Sequence, residues 1–595
     1  MVDADFRSGR RKSVLLGIIC GIMMLYGFQL IRLQVMQHSE YDIKSAENSM
    51  KAIEEIPLRG VFYDRNLNLL VENTPTYTVR IIPAEYDDEN DSLLETILGF
   101  EQGTIQNILQ KNSQYSTFVP LKLKRGVEFE VIGWIEENSE KLTGVNYIVE
   151  MQRGYRDSIM PSHLFGYTKE ISPKLLEDKY YNPGDLVGYS GIEKKYEQSL
   201  RGVKGSKYIM VDSKGREVNG LKEKGRRIPA SKGKDLVLGI DAATQKAAET
   251  GLAGYVGAAV AIEPETGEII AMASSPKYDL NEFSYFTPKA FINQLYTDPQ
   301  KPLFNRATMA AHPPGSTFKV LSAIAALENN IINENSTLVC VGGFNYGRFF
   351  KCHGNHGAIN VVHAIEFSCN SFFYQLIFKV GLDRLADYAN KFKLGIKTGV
   401  DIGEEARGLI PTEKYYEKIY GPNWPRGILV SLGIGQGEVN TTPLQLAFYT
   451  ALIANNGKSY TPHVVKGYLD ENKKYFPLQF EEVNTGVSQK TFELVKKGMY
   501  LVVNGAGTAA NIKSSEYDIA GKTGTAQNPH GKDHSWFIGF APFDHPKIAV
   551  CVLVENVGFG ATYAAPIARK MMDAYFRKTG KGGQVNYSVA HVVED

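Results

Sequence analysis

Pro313-Pro314-Gly315-Ser316-Thr317-Phe318-Lys319 is the stretch from which the organisation of this chain can be read. It sets a serine at a helix start with a lysine three residues on, one way to make a hydroxyl nucleophilic without a histidine. A helix brings positions i and i+3 to one face, so the lysine amine can lie beside Ser316 Oγ. The helix N-terminus favours the negative charge that develops there during acylation. Pro313, Pro314 and Gly315 cannot sit inside the helix and form a stop before it. The S-x-x-K spacing alone is weak evidence, since Ser231 to Lys234 and Ser274 to Lys277 share it. Ser231 lies in the polar, linker-like Ala230–Lys234, and Ser274 precedes Ser275-Pro276, where proline ends a strand. Only Ser316 is followed by a helical apolar pattern: Phe318, Val320, Leu321, Ile324, Ala325 and Leu327.

Outward from this run, 595 residues imply about three to four domains. A hydrophobic fraction of 43%, a charged fraction of 22% and a net charge of +1 describe ordinary globular material. With no long basic run outside the N-terminus, nucleic acid is not an expected partner. Arg7, Arg10, Arg11 and Lys12 precede the uncharged run Ser13 to Ile31. That run is long enough to cross a bilayer core of ~30 Å. The basic flank places the N-terminus in the cytoplasm and everything after Arg32 outside. A cleaved signal peptide is the rival, but Arg32-Leu33-Gln34-Val35 lacks a small-x-small cleavage site.

The expected organisation is a cytoplasmic tail (1–12), a transmembrane anchor (13–31), a pedestal (32–234), a catalytic domain (235–580) and a tail (581–595). The pedestal reads as a mixed α/β spacer of short alternating segments, and Lys222 to Lys234 as its boundary. Beyond it, Leu236–Ile240 reads as a strand and Ala242 onward as a helix. Ala258–Glu263 and Glu268–Ala273 read as a hairpin, and Asp518–Thr525, Ser535–Phe540 and Lys547–Val554 as three strands. Strands at both ends with helices between them predict an α+β domain around one antiparallel sheet.

Two further elements give Ser316 its partners. Ser368-Cys369-Asn370, read as an extended turn, would aim Ser368 and Asn370 into a site and Cys369 away. A second hydroxyl can relay a proton, and an amide can hold a peptide carbonyl. Lys397-Thr398-Gly399 reads as a surface turn. Lys522-Thr523-Gly524-Thr525 lies on a predicted strand, where Gly524 permits close approach of a substrate backbone. Hydroxyls with an ammonium suit a carboxylate.

The order S-x-x-K, S-x-N, K-T-G resembles the penicillin-binding protein and serine β-lactamase superfamily. Arg59-Gly60-Val61-Phe62-Tyr63-Asp64-Arg65 is similar to its N-terminal pedestal motif, and the pedestal then corresponds to a dimerisation domain. Gly435-Gln436-Gly437 with Thr442–Ala447 is similar to its loop and helix behind the site. Gly521–Gln527 followed by Asp533–Gly539 resembles most closely the elongation-type, class B penicillin-binding protein 2. The resemblance implies a transpeptidase domain with an antiparallel sheet flanked by helices, held at the bacterial inner membrane. It implies that Ser316 attacks the penultimate D-alanine of a peptidoglycan stem peptide ending in D-Ala-D-Ala, with Lys319 as base. Ser368 and Lys522 would pass a proton to the leaving amine, Asn370 would bind the substrate amide, and Thr523 and Thr525 the carboxylate. β-Lactams would acylate the same serine, and a SEDS-type membrane glycosyltransferase would polymerise the glycan. The alternatives are a division-type transpeptidase, a β-lactamase, a penicillin sensor, or a scaffold without activity.

Catalysis of this kind needs no cofactor. Cys340, Cys352, His356 and Cys369, with His353 and His363 nearby, nevertheless suggest a structural zinc. Some elongation-type family members carry zinc here on carboxylates, a histidine and the middle residue of S-x-N, and in this chain Cys340 and Cys352 would stand in for the carboxylates. Three thiolates and an imidazole make a closed tetrahedral site. A Cys340–Cys352 disulfide and ordinary buried thiols are the other two readings.

Overall fold

The computed structural model describes residues 5–579 apart from 37–49, 114–116, 119, 157, 173–177, 179, 183, 211–226 and 285–286. The C-terminal tail expected at 581–595 lies outside the described residues. A helix, Asp5–Ile31, opens the chain. The stretch Lys12–Gln34, 23 residues at a mean hydropathy of 2.2, is not buried by anything among the described residues. A helix this long, apolar and unburied fits a bilayer span.

The pedestal is organised on one long strand, Leu69–Ile81. Val145–Tyr155 pairs antiparallel with it from Val71↔Tyr155 to Ile81↔Val145. Leu121–Val127 pairs along part of its other edge. A small core of Val79, Ile81, Leu94, Leu98, Ile105, Ile132 and Ile135 lies between these strands and their helices.

Asp235–Leu238, which the sequence places at the head of the catalytic domain, joins the pedestal sheet. It runs parallel to Phe62–Tyr63 on one side and antiparallel to Val465–Leu469 on the other. One sheet thus carries strands from both halves of the chain. Charged groups reinforce the junction. Arg59 Nε and Arg153 Nε each lie 2.7 Å from a carboxylate oxygen of the fully buried Glu193. Arg65 of the pedestal reaches Glu263 and Glu268, the latter at 2.9 Å. Tyr196 Oη donates to Asp401 at 2.7 Å.

The catalytic domain holds the antiparallel sheet expected, in the order Ile269–Ser275, Gly257–Ile262, Ile548–Val554, His534–Ala541, Ala520–Ala526. Gly257–Ile262, His534–Ala541 and Ile548–Val554 are buried at every position, so both faces are covered. Ala242–Gly251 and Ala564–Thr579 pack together and on the sheet, as does Pro443–Ala454. All twelve residues of Pro443–Ala454 are buried, as an all-round apolar helix requires. Thr442 and Gln445 close a capping box at its start, with proline in the first turn. The Lys319–Glu328 helix is buried from Lys319 to Leu327. It therefore presents its first residue to the site from within the core.

Candidate active site

The turn carrying Ser316 is tighter than the sequence implies. Gly315–Phe318 form a 3-10 turn, and the α-helix starts at Lys319 rather than at Ser316. The Lys319 N–H donates to the Ser316 carbonyl, and residues i and i+3 of such a turn eclipse. Serine and lysine are thus aligned more strictly than an α-turn would align them. Gly315 stands at φ +55, where a Cβ would lie 2.6 Å from the Thr525 carbonyl oxygen. A Cβ on Gly524 would lie 2.8 Å from the Pro314 carbonyl oxygen and 2.9 Å from Thr317 Cγ2. The room that Gly524 leaves is filled by the nucleophile turn itself, which brings Gly315 against the Thr525 backbone.

Ser368-Cys369-Asn370 is not an extended turn. Ser368 is left-handed at φ +52, Cys369 caps a helix, and Asn370 is the first residue of Asn370–Val380. Ser368 and Asn370 still face one way, for a different reason: the left-handed residue turns the chain and the helix start turns it again. Both meet Lys319. Its Nζ donates to Ser368 O at 2.8 Å, Ser368 Oγ at 3.1 Å and Asn370 Oδ1 at 2.5 Å.

Those three acceptors are neutral, and Lys319 is fully buried. Burial pushes its pKa down to about 7, and Cys352 and Cys369 oppose this only in part. Lys522 is equally buried, and burial together with the neighbouring Lys319 lowers it well below the ordinary lysine range. Ser316 is half-buried at the mouth. Near neutral pH an amine so placed as Lys319 is able to accept a proton.

Thr523 Oγ1 shares a hydrogen bond with Thr508 Oγ1 at 2.6 Å. Gln436 Nε2 donates to the Thr525 carbonyl at 3.0 Å, tying the Gly435–Gly437 loop to the strand. His353 stands close enough that burial and both lysines lower its pKa. Thr508 belongs to no motif and only its contact reveals it, whereas the Gly435-Gln436-Gly437 resemblance marks Gln436 and its contact shows what it does.

Cys340, Cys352, His356 and Cys369 converge, their ligand atoms all within 4.8 Å of one another. All three cysteines are free thiols. Cys340 Sγ lies 3.5 Å and Cys352 Sγ 3.8 Å from His356 Nδ1, with Cys352 and Cys369 3.9 Å apart. A tetrahedral ion with Zn–S of about 2.3 Å and Zn–N of about 2.0 Å separates its ligands by roughly 3.5–3.8 Å. The donor set suits such an ion, and these three separations lie close to the tetrahedral values. The Cys369 S–H donates to Cys352, which favours the thiolate at Cys352.

A serine on a tight turn, a buried amine with a lowered pKa, and a second lysine on a sheet edge define a serine acyl-transfer enzyme of the penicillin-recognising fold. The penicillin binding protein transpeptidase domain matches residues 257–573, and the penicillin-binding protein dimerisation domain residues 54–238. The peptidoglycan D,D-transpeptidase MrdA of Haemophilus influenzae is 33% identical, covering 94% of this chain and 90% of its own. The penicillin-binding protein PBP2 of Helicobacter pylori, solved in complex with MreC, superposes with a TM-score of 0.78 at 28% identity, covering 89% and 99% of the two chains. A peptidoglycan synthase complex joining polymerization and crosslinking contains a chain matching at a TM-score of 0.72 and 28% identity, covering 97% and 100%. The chain belongs to the class B penicillin-binding proteins of the elongation type, PBP2.

Proposed function

We propose the following division of labour in this serine-type, elongation-class peptidoglycan D,D-transpeptidase. Ser316 Oγ attacks the carbonyl carbon of the penultimate D-alanine, and its proton passes to neutral Lys319. The oxyanion is held by the backbone N–H groups of Ser316 and Thr525, a contribution of about 2.7–4 kcal/mol per donor elsewhere. The C–N bond breaks as a proton reaches the departing D-alanine amine through Ser368, with Lys522 behind it. An amine of a neighbouring stem then attacks the acyl-serine, gives up its proton along the same route, and leaves the cross-link with Ser316 restored. Asn370 orients Lys319 and the substrate amide, while Thr523 and Thr525 hold the terminal carboxylate. β-Lactams acylate Ser316 and leave slowly.

One observation carries this reading: Lys319 is buried on neutral acceptors beside the Ser316 turn, with its pKa down to about 7. Labelling with a fluorescent penicillin tests it. The wild type labels and releases over hours, and Ser316→Ala does not label. Unchanged labelling of the variant refutes the nucleophile, and release within milliseconds indicates a β-lactamase.

Zinc is the proposed occupant of the Cys340, Cys352, His356 and Cys369 cluster. With four protein ligands it would supply structure rather than chemistry. It would fix Cys369, and so hold Ser368 and Asn370 against Lys319. Metal analysis of purified protein is expected to give about one equivalent, and under about a tenth would dismiss it. The chain is membrane-anchored. The basic flank at Arg10, Arg11 and Lys12 supports a cytoplasmic N-terminus with the catalytic domain on the opposite side. The Helicobacter pylori complex with MreC and the peptidoglycan synthase complex that coordinates polymerization and crosslinking support assembly with cell-wall synthesis partners. The family resemblance makes a SEDS-type glycosyltransferase the proposed polymerising one.

A further inference from the structure

Thr508 lies on an exposed loop between the Gln489–Asn504 helix and the Ala520–Ala526 strand, yet the loop is fixed at three points. The Ala506 N–H donates to Glu366 Oε1 at 3.1 Å, Asn504 Nδ2 to the Ile519 carbonyl at 2.8 Å, and the Ala509 N–H to the Val502 carbonyl at 2.9 Å. Glu366 is itself buried, with His363 Nδ1 2.7 Å from its other oxygen. It ends the Val361–Glu366 helix, two residues before Ser368. A Cβ on Gly505 would lie 2.7 Å from Glu366 Oε1 and 2.8 Å from the Leu501 carbonyl oxygen, so the chain passes close to both. The loop is thereby tied to the segment that holds Lys319, and it sets Thr508 Oγ1 2.6 Å from Thr523 Oγ1.

Two hydroxyls in that relation share one hydrogen and leave the second free to turn elsewhere. A hydroxyl that accepts one bond is a better donor of another, most of all to an anion. We propose that Thr508 is a positioning residue for carboxylate recognition, holding and polarising the Thr523 hydroxyl so that its hydrogen points at the terminal carboxylate of the substrate or of a β-lactam. This rests on the reading of Thr523 as a carboxylate-binding residue. The position of Thr508 on a loop bonded to Glu366 also explains why an exposed threonine is held so firmly.

The experiment compares second-order acylation by benzylpenicillin and by its methyl ester in the full-length wild type, Thr508→Val and Thr508→Ser. The wild type is expected to prefer the acid strongly. Thr508→Val is expected to lose about tenfold on the acid and little on the ester, one hydrogen bond's worth. Thr508→Ser is expected to restore the preference. An acid-to-ester ratio in Thr508→Val within about twofold of wild type overturns the proposal, as does an equal fall on both ligands, which would mark a structural role. A wild type with no preference for the acid would instead overturn the carboxylate reading of Thr523, and the proposal with it.

Discussion

At the active site Lys319 and Lys522 are buried with neutral hydrogen-bond acceptors, whereas at the pedestal junction Arg59, Arg65 and Arg153 are sunk against carboxylates. The same loss of water has opposite outcomes. Lys319 answers burial by releasing its proton more readily. Burial alone would lower Arg59 and Arg65 too, but Glu193 and Glu197, and Glu263 and Glu268, more than reverse it, so both end above the ordinary value. Arg153, which shares Glu193 with Arg59, ends below it. Arginine keeps its charge and makes forked contacts, while lysine gives its charge up when no counter-ion is supplied. One cluster is built to change protonation and the other to stay fixed.

Breaking each side in turn sharpens that contrast. Lys319→Met is expected to slow acylation by about 10³-fold or more, measured with fluorescent penicillin. The same variant should be more stable at neutral pH by roughly 1–4 kcal/mol, because a buried amine without a counter-ion is removed. The sign follows from linkage: the folded pKa of about 7 lies below the unfolded value of 10.5. The unfolded chain therefore holds a proton that the native state lacks. Stability from this group falls as pH drops from 10.5 to 7 and changes no further below.

At the junction the reverse is expected. Glu193→Ala removes the carboxylate that Arg153 pairs with and leaves Arg59 with Glu197, and should cost about 3–5 kcal/mol in denaturant unfolding. Acylation by the molecules that remain folded should change by less than about twofold. A large acylation defect without a stability defect would break the comparison.

The pH profile is the next test. Acylation should rise through about pH 7 and level off above, and at pH 5 it should be lower by about a hundredfold, since each unit below the Lys319 pKa removes tenfold of the neutral base. A flat profile between pH 5 and 8 would exclude Lys319 as the base. The smallest effect belongs to Tyr196→Phe, which removes one neutral-to-charged hydrogen bond to Asp401. It should cost about 1–3 kcal/mol of stability and leave the pH profile in place.

Much of this was legible before any coordinates. The Ala258–Ala273 hairpin and the three C-terminal strands show as apolar runs bounded by turn residues, and they form where expected. The motif residues converge because each sits at a helix start or on a sheet edge. What escaped is whatever depends on partners distant in sequence. Ser368 is left-handed because Asn370 begins a helix packed elsewhere, and nothing local distinguishes that from an extended turn. Thr508 carries no motif, and its role is visible only from Thr523. A further K-T-G begins at Lys578, and Lys578-Thr579 closes the last helix, so the tripeptide alone would not have selected Lys522.

The shared sheet bears on how such a chain is made. Asp235–Leu238 finds one neighbour in Phe62–Tyr63, already synthesised, but the other, Val465–Leu469, emerges only after residues 239–464. Until then one edge of that strand stands open. The catalytic half cannot finish before the membrane-proximal half, nor be cut from it at residue 235 without stripping a strand of its neighbour. A soluble form for expression should therefore begin just after the anchor, and a chain severed at 235 is expected to aggregate.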